Sequence, residues 1–151
     1  MMQTQLEKEK TENIVPKTRV LFVCTGNTCR SPMAAAVLNA VAPDRYIASS
    51  AGLSCSNGKA MSENSRLALK AAGYDVPEHS SRMLTREIVA ENDITVGISS
   101  AHFMVMLQAF PEFAGRFETM PHDISDPYGC DLDTYKKCLK EIEECIKERF
   151  L

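Results

Sequence analysis

The 151-residue chain has no apolar run of membrane-spanning length, and its first residues are acidic and basic where a secretion signal needs an apolar stretch. Nothing predicts a membrane partner, and the expected location is cytoplasmic. Positive charge is also scarce: 17 Lys and Arg stand against 20 Asp and Glu, for a net charge of -3. That balance gives nucleic acid no electrostatic reason to bind, and no polybasic cluster suits an anionic lipid surface. With 7 Gly and 7 Pro, no repeat and no low-complexity block beyond residue 17, fibrous and disordered classes are excluded. No second cysteine pair stands at zinc spacing, so no metal is expected. The six cysteines (24, 29, 55, 130, 138, 145) read as reduced thiols, because a chain this long builds a core without disulfide staples.

What is present alternates. Residues 1–17 are mostly charged or polar and read as a flexible N-terminal tail; residues 18–151 read as one domain. Val20 to Val23 is a strand buried on both faces, and a helix follows to about Ala42, with Ser31 as expected N-cap and Pro32 as first helical residue. Strands are predicted at 45–52, 93–98 and 116–120. Helices are predicted at 62–72 (closed by Gly73), from Thr85 to about Glu91, from Ser99 or Ser100 to Pro111, and over 131–151. Strands alternating with helices give an α/β fold with a parallel sheet covered on both faces, and ligands bind beyond the carboxyl ends of such strands.

The chemistry gathers where the first strand meets the first helix, in Cys24-Thr25-Gly26-Asn27-Thr28-Cys29-Arg30-Ser31-Pro32. A turn leading into a helix N-terminus is an anion cradle, with backbone N–H groups and the helix dipole aimed at one point. A sulfur placed there is driven toward thiolate by the dipole, the N–H groups and Arg30. The Arg30 fork matches two phosphoryl oxygens, and Ser31 is placed to hydrogen-bond the sulfur. Thr25, Gly26, Asn27, Thr28 and Cys29 complete the phosphate-binding loop, with inorganic phosphate or a similar oxyanion as its ligand. Far downstream, Asp126-Pro127-Tyr128-Gly129 carries a carboxyl group on a loop; alone it reads as an ordinary turn, and paired with the upstream loop as the proton donor that a departing oxygen or nitrogen needs. Asp123 competes for that role but lacks the following proline.

The string Cys-x-Gly-Asn-x-Cys-Arg-Ser-Pro after an apolar strand, with Asp-Pro before the last helix, resembles the low-molecular-weight protein tyrosine phosphatases, from about Arg19 to the C-terminus. The resemblance implies a flavodoxin-like three-layer α/β/α fold with a central four-stranded parallel sheet. It also implies a cofactor-free, metal-independent phosphatase that works on phosphorylated protein through a phosphocysteine intermediate. Cys24, Arg30 and Asp126 match the family's nucleophile, phosphate-binding arginine and acid. Asn27, Ser31, Ser50 and His79 match a network supporting the loop, Tyr128 an aromatic wall against the substrate, and Cys29 a redox partner of the nucleophile. Each has an ordinary reading too: Asn27 as a left-handed turn residue, Ser50 as a strand end, His79 as a surface histidine, Cys29 as a small buried filler.

The substrate turns on Thr28. Some tyrosine-selective relatives carry a bulkier aliphatic residue there, whereas the family's bacterial protein arginine phosphatases have the loop found here. The expected substrate is phosphotyrosine or a related aryl phosphate, with phosphoarginine in protein as the alternative. Gly97-Ile98-Ser99-Ser100 departs from the Met-Thr type of strand end typical of the family. A thioredoxin-coupled arsenate reductase needs redox cysteines between Cys55 and Cys130, where there are none, and a sugar-transport phosphocarrier would not retain both Arg30 and Asp126. A binding module without turnover is disfavoured by the presence of nucleophile, arginine and acid together.

Overall fold

The computed structural model describes residues 15–151, so most of the expected tail lies outside the described residues. Four strands, β1 (Thr18–Cys24), β2 (Tyr46–Gly52), β3 (Ile94–Gly97) and β4 (Phe117–Thr119), form one parallel sheet in the order β2-β1-β3-β4. Five helices accompany them among the described residues: α1 (Arg30–Val41), α2 (Glu63–Ala71), α3 (Arg86–Ala90), α4 (Ser100–Ala109) and α5 (Leu132–Phe150). The element order is the expected one, apart from an additional 3-10 turn at Pro111–Arg116. There Pro111 ends α4, since it has no N–H to continue the helix ladder.

The period-two alternation of β1 splits the interior into two cores. Val20, Phe22 and Cys24 face α1, α2 and α5, together with Met33, Leu38, Leu69, Leu139, Ile142 and Ile146. Leu21 and Val23 face the other side, where Val89 of α3 and Met106 of α4 close over them. This is the three-layer α/β/α architecture. Each fully buried Phe or Leu contributes roughly 1.5–3 kcal/mol, and α1, buried from Arg30 through Leu38, is the most enclosed of the helices. Cys138 and Cys145 pack inward from α5, and burial pushes the Cys138 thiol up to about 12, so it stays protonated.

The strand order places the site. Beta strand 1 is flanked by β2 on one side and β3 on the other, so chain connections leave in opposite directions beside its carboxyl end. That is the switch point at which α/β sheets open a crevice, and Cys24 is the last residue of β1. Gly52 pairs with Cys24 across the ladder. A Cβ there would stand 2.7 Å from the Thr25 carbonyl oxygen and 3.0 Å from the Asn27 Cβ, so only glycine lets the turn pack so closely.

One helix start differs from expectation. Helix α1 begins at Arg30 with Cys29 as its N-cap and no side-chain cap, so Ser31 lies inside the first turn. The reason is competition for the Ser31 hydroxyl, which is engaged by Cys24 and Asn27. Pro32 is accommodated because first-turn N–H groups have no intrahelical acceptor. The remaining caps follow the sequence: Ser62, Thr85 and Asp131 accept from Ser65, Ile88 and Thr134, and Gly73 adopts φ +90° beyond α2.

Candidate active site

The loop after β1 is turned inside out relative to an ordinary turn. Its carbonyls point away from the centre and are bound there: Cys24 O by Leu53 N–H, Thr25 O by Ser54 N–H and Thr28 O by Ser62 N–H, at 2.9–3.0 Å. Asn27 O accepts from His79 Nε2, and Cys29 O from Met33 N–H within α1. A planar trans peptide sets the following N–H opposite its carbonyl, so the N–H groups of Thr25, Gly26, Thr28, Cys29 and Arg30 face inward. Together with the N-terminus of α1 they form a concave donor surface sized for a tetrahedral oxyanion.

Asn27 keeps this shape. It is fully buried and holds φ 55°, a left-handed conformation unusual outside glycine, so the turn's unusual backbone belongs to Asn27 rather than to Gly26. Its amide donates to Ser31 Oγ and Ser50 Oγ, each at 2.9 Å, and its Oδ1 accepts the Arg82 N–H at 3.0 Å. Both amide protons are therefore spent. Because Ser31 Oγ accepts from Asn27, its own proton is free for the Cys24 sulfur 2.9 Å away, which stabilises negative charge on that sulfur. His79 is half-buried, and burial, then the Arg82 charge, lower its imidazole against the lift from the Asn27 carbonyl. Asn27, Ser31, Ser50 and His79 are thus linked by hydrogen bonds into one network.

The distant carboxylate arrives as well. Arg30 is buried; its Nη1 donates to Ile124 O at 2.9 Å, and its Nη2 lies 3.7 Å from Asp126 Oδ2. Asp126 Oδ1 accepts the Tyr128 N–H, a local turn that aims the carboxylate. Cys24, Thr25, Gly26, Asn27, Thr28, Cys29, Arg30, Asp126 and Tyr128 all line one cavity of about 230 Å³. Asp123 is occupied elsewhere: its carboxylate accepts from Ser100 N–H and Ser100 Oγ, both at 2.9 Å. Those bonds hold its carboxyl below the usual carboxylate range, which makes it a poor proton donor. Tyr128 stands 78 % exposed at the mouth. The Cys29 sulfur is turned toward α2 and α5, 3.4 Å from Ser62 Oγ and 3.5 Å from Tyr135 Oη. Burial, then the neighbouring sulfur, push the Tyr135 phenol up to about 12.

Four contributors escaped the sequence reading. Ile124 acts through its carbonyl alone, and Arg82 and Ser62 each give a backbone N–H to the loop besides their side-chain contacts with Ser50 O and the Cys29 sulfur; a backbone atom leaves no side-chain signature. His102 left one: it stands three residues after Ser99, the spacing of a capping box in which Glu or Gln is usual. Its Nδ1 accepts the Ser99 N–H at 3.1 Å, so the ring proton sits on Nε2, which donates to Thr25 Oγ1 at 3.0 Å.

Residues 19–150 match the family described as low molecular weight phosphotyrosine protein phosphatase. The chain belongs to that family. It is a cysteine-dependent phosphatase, and its substrates are phosphorylated. A relative called protein-arginine-phosphatase, from Geobacillus stearothermophilus, is 33% identical over 135 residues, covering 85% of this chain and 90% of its own. The crystal structure of the low molecular weight protein tyrosine phosphatase from T. tengcongensis superposes with a TM-score of 0.82 at 34% identity, over 87% of this phosphatase and 97% of that chain. A Vibrio vulnificus homologue, Wzb, in complex with benzylphosphonate, superposes with a TM-score of 0.83 at 26% identity, over 88% and 97% of the two chains. Among the described residues, no helix is long and apolar enough to cross a membrane, and no cluster of three or more His, Cys, Asp or Glu is arranged to hold a metal ion.

Proposed function

We propose that the phosphatase hydrolyses phosphotyrosine, or a related aryl phosphate, in protein, with Cys24 as nucleophile, Arg30 as phosphate clamp and Asp126 as acid and then base. The observation that carries the reading is the convergence of these three side chains on one cavity from opposite ends of the chain. The phosphoryl group enters the cradle of inward N–H groups and meets the Arg30 fork. Cys24 thiolate attacks phosphorus, the bond to the leaving oxygen breaks, and Asp126 gives that oxygen its proton. Asp126, now a carboxylate, takes a proton from water as the water attacks the phosphocysteine and releases phosphate. The Ser31 hydroxyl steadies the sulfur at both ends of the cycle. Thr25, Gly26, Thr28 and Cys29 supply cradle N–H groups; Asn27, Ser50 and His79 support the loop; Tyr128 is the wall on which an aryl group stacks. Residues 18–151 form the phosphatase domain, residues 1–17 an extension, and the cytoplasm is the proposed location. Cys29 is proposed as redox partner of Cys24; forming that disulfide breaks its contacts with Ser62 and Tyr135.

A second reading, phosphoarginine, is favoured by the Thr28 hydroxyl in the cavity wall and by the activity for which the Geobacillus relative is named. A hydroxyl orients a guanidinium nitrogen, whereas an aliphatic group favours a ring. The deciding measurement compares kcat/KM on phosphotyrosine and phosphoarginine peptides for the wild type, Thr28→Ile and Cys24→Ser. The expected result is a phosphotyrosine preference that grows with Thr28→Ile, and a loss of roughly 10⁴-fold or more on both substrates in a folded Cys24→Ser. A wild-type preference for phosphoarginine that Thr28→Ile reverses establishes the second reading. Substantial turnover by Cys24→Ser overturns both.

A further inference from the structure

The cradle and the acid loop are joined twice. The first joint is Arg30, through Ile124 O and Asp126. The second runs through the corner where β3 enters α4, and the chemistry proposed above makes no use of it. On one side of this corner, His102 donates from Nε2 to Thr25 Oγ1, the residue directly after the nucleophile. Its other ring nitrogen accepts the Ser99 N–H, so a single neutral imidazole closes the helix start and grips the cradle. His102 is 6 % exposed; burial first and the Arg30 charge second hold it neutral at ordinary pH. On the other side, Ser100 donates both its N–H and its hydroxyl to the two oxygens of Asp123. Asp123 immediately precedes Ile124, the residue whose carbonyl Arg30 holds, and lies three residues before Asp126.

We infer that the Ser99–His102 corner sets the acid loop in register with the cradle, which makes Asp123 and His102 positioning residues for proton transfer by Asp126. The corner resists sliding because its two bonds to Asp123 engage both carboxylate oxygens and its bond to Thr25 comes from a ring fixed at both nitrogens. Only three residues separate Asp123 from Asp126, so a shift of the Asp123 anchor passes along a short stretch of chain to the Asp126 carboxylate. Proton transfer requires hydrogen-bond distance to the leaving atom, and a displacement near 1 Å at such a group costs up to about a hundredfold.

The inference rests on Asp126 being the acid, and the test separates the two. The kcat/KM of wild type, Asp126→Ala, Asp123→Ala, Asp123→Asn and His102→Asn is measured on phenyl phosphate, a poor leaving group, and on p-nitrophenyl phosphate, an activated one. Asp126→Ala should lose far more on phenyl phosphate. Asp123→Ala and His102→Asn should each lose about tenfold on phenyl phosphate and less than twofold on the activated ester. Asp123→Asn should recover most of the loss, since its Oδ1 still accepts the Ser100 N–H. His102→Asn keeps an oxygen for the Ser99 N–H but does not reach Thr25, so the loss reads the joint rather than the helix cap. Adding Asp123→Ala to Asp126→Ala should cost nothing further. Equal losses on the two esters, or an additional loss in the double variant, overturn the corner's role. An Asp126→Ala insensitive to the leaving group overturns the acid assignment instead.

Discussion

The cradle and the acid loop face each other across one cavity and are built in opposite ways. In the cradle, Asn27 and Ser31 are fully buried, and the carbonyls of Cys24, Thr25, Asn27, Thr28 and Cys29 each have a partner outside the loop or in α1. In the acid loop, residues 121–131, only Ile124 and Pro127 are buried, and the Asp126 side chain is 55 % exposed. The difference suits the two tasks proposed for them. Charge on a phosphoryl group is stabilised best by donors already fixed in place, which spend no free energy reorganising during the reaction. A proton donor must admit the leaving group, follow it and then admit water, so it belongs on a segment tied at a few points. Pro127 is one of those ties, and this gives the Asp-Pro pair its physical sense: the exposed carboxylate proposed as the acid stands beside a buried residue whose backbone is locked.

The contrast is broken most severely at Asn27. Asn27→Ala removes the donors to Ser31 and Ser50, strips the Arg82 N–H of its acceptor and leaves an alanine at φ 55°. An unsatisfied buried group costs about 1–3 kcal/mol, and the left-handed backbone about 1–2 more. A loss of roughly 3 kcal/mol or more in denaturant unfolding is expected, with inorganic phosphate inhibition weakened in parallel. Asn27→Gly should recover only the backbone part. A stable Asn27→Ala with normal phosphate affinity would mean that the cradle keeps its shape without its central side chain.

Legibility in the sequence divides along the same line. The cradle could be read because its chemistry is local: Cys24, Arg30 and the N-terminal helix turn fall within nine residues, and strand β1 before them shows its burial in its composition. Asp126 could be read only in company with that loop, since Asp-Pro-Tyr-Gly alone is an ordinary turn. The α1 start could not be placed, because Ser31 followed by Pro32 has the form of a cap, and its hydroxyl is claimed by two partners brought in by tertiary structure. The corner at Ser99, Ser100 and His102 was hidden for a different reason. Its contacts reach Thr25 and Asp123, far away in the chain, and no local pattern encodes such a meeting.

Acid separates the two regions again. Burial and the Arg30 charge push His102 down to about 4, against the carboxylates of Asp126 and Asp123, which pull it up. Its ordinary value is about 6.5, so between those limits the unfolded chain takes up a proton that the folded protein refuses. The contribution is complete above pH 6.5 and is lost as pH falls toward 4, on the order of 3 kcal/mol at about 1.4 kcal/mol per unit. His79, lowered by burial, adds in the same direction. Unfolding free energy measured from pH 7 to 4 should therefore decline, and His102→Asn should remove the larger part of the slope. An unchanged slope in that variant would assign the acid sensitivity elsewhere.

The finest distinction comes from making one substitution in both regions. At Gly129, in the acid loop, φ is +76° and an added Cβ meets no heavy atom within 4 Å, so Gly129→Ala costs backbone strain alone, about 1 kcal/mol. At Gly52 the same Cβ would press on the Thr25 carbonyl, the Cys55 sulfur at 2.8 Å and the Asn27 Cβ, all parts of the cradle or its rim. Inorganic phosphate as a competitive inhibitor reads the cradle without involving the acid. Its inhibition constant should rise in Gly52→Ala and stay at the wild-type value in Gly129→Ala, although both carry the same extra methyl group. A rise of equal size in both would show that strain in the acid loop passes into the cradle, and that the two regions are less separate than their burial implies.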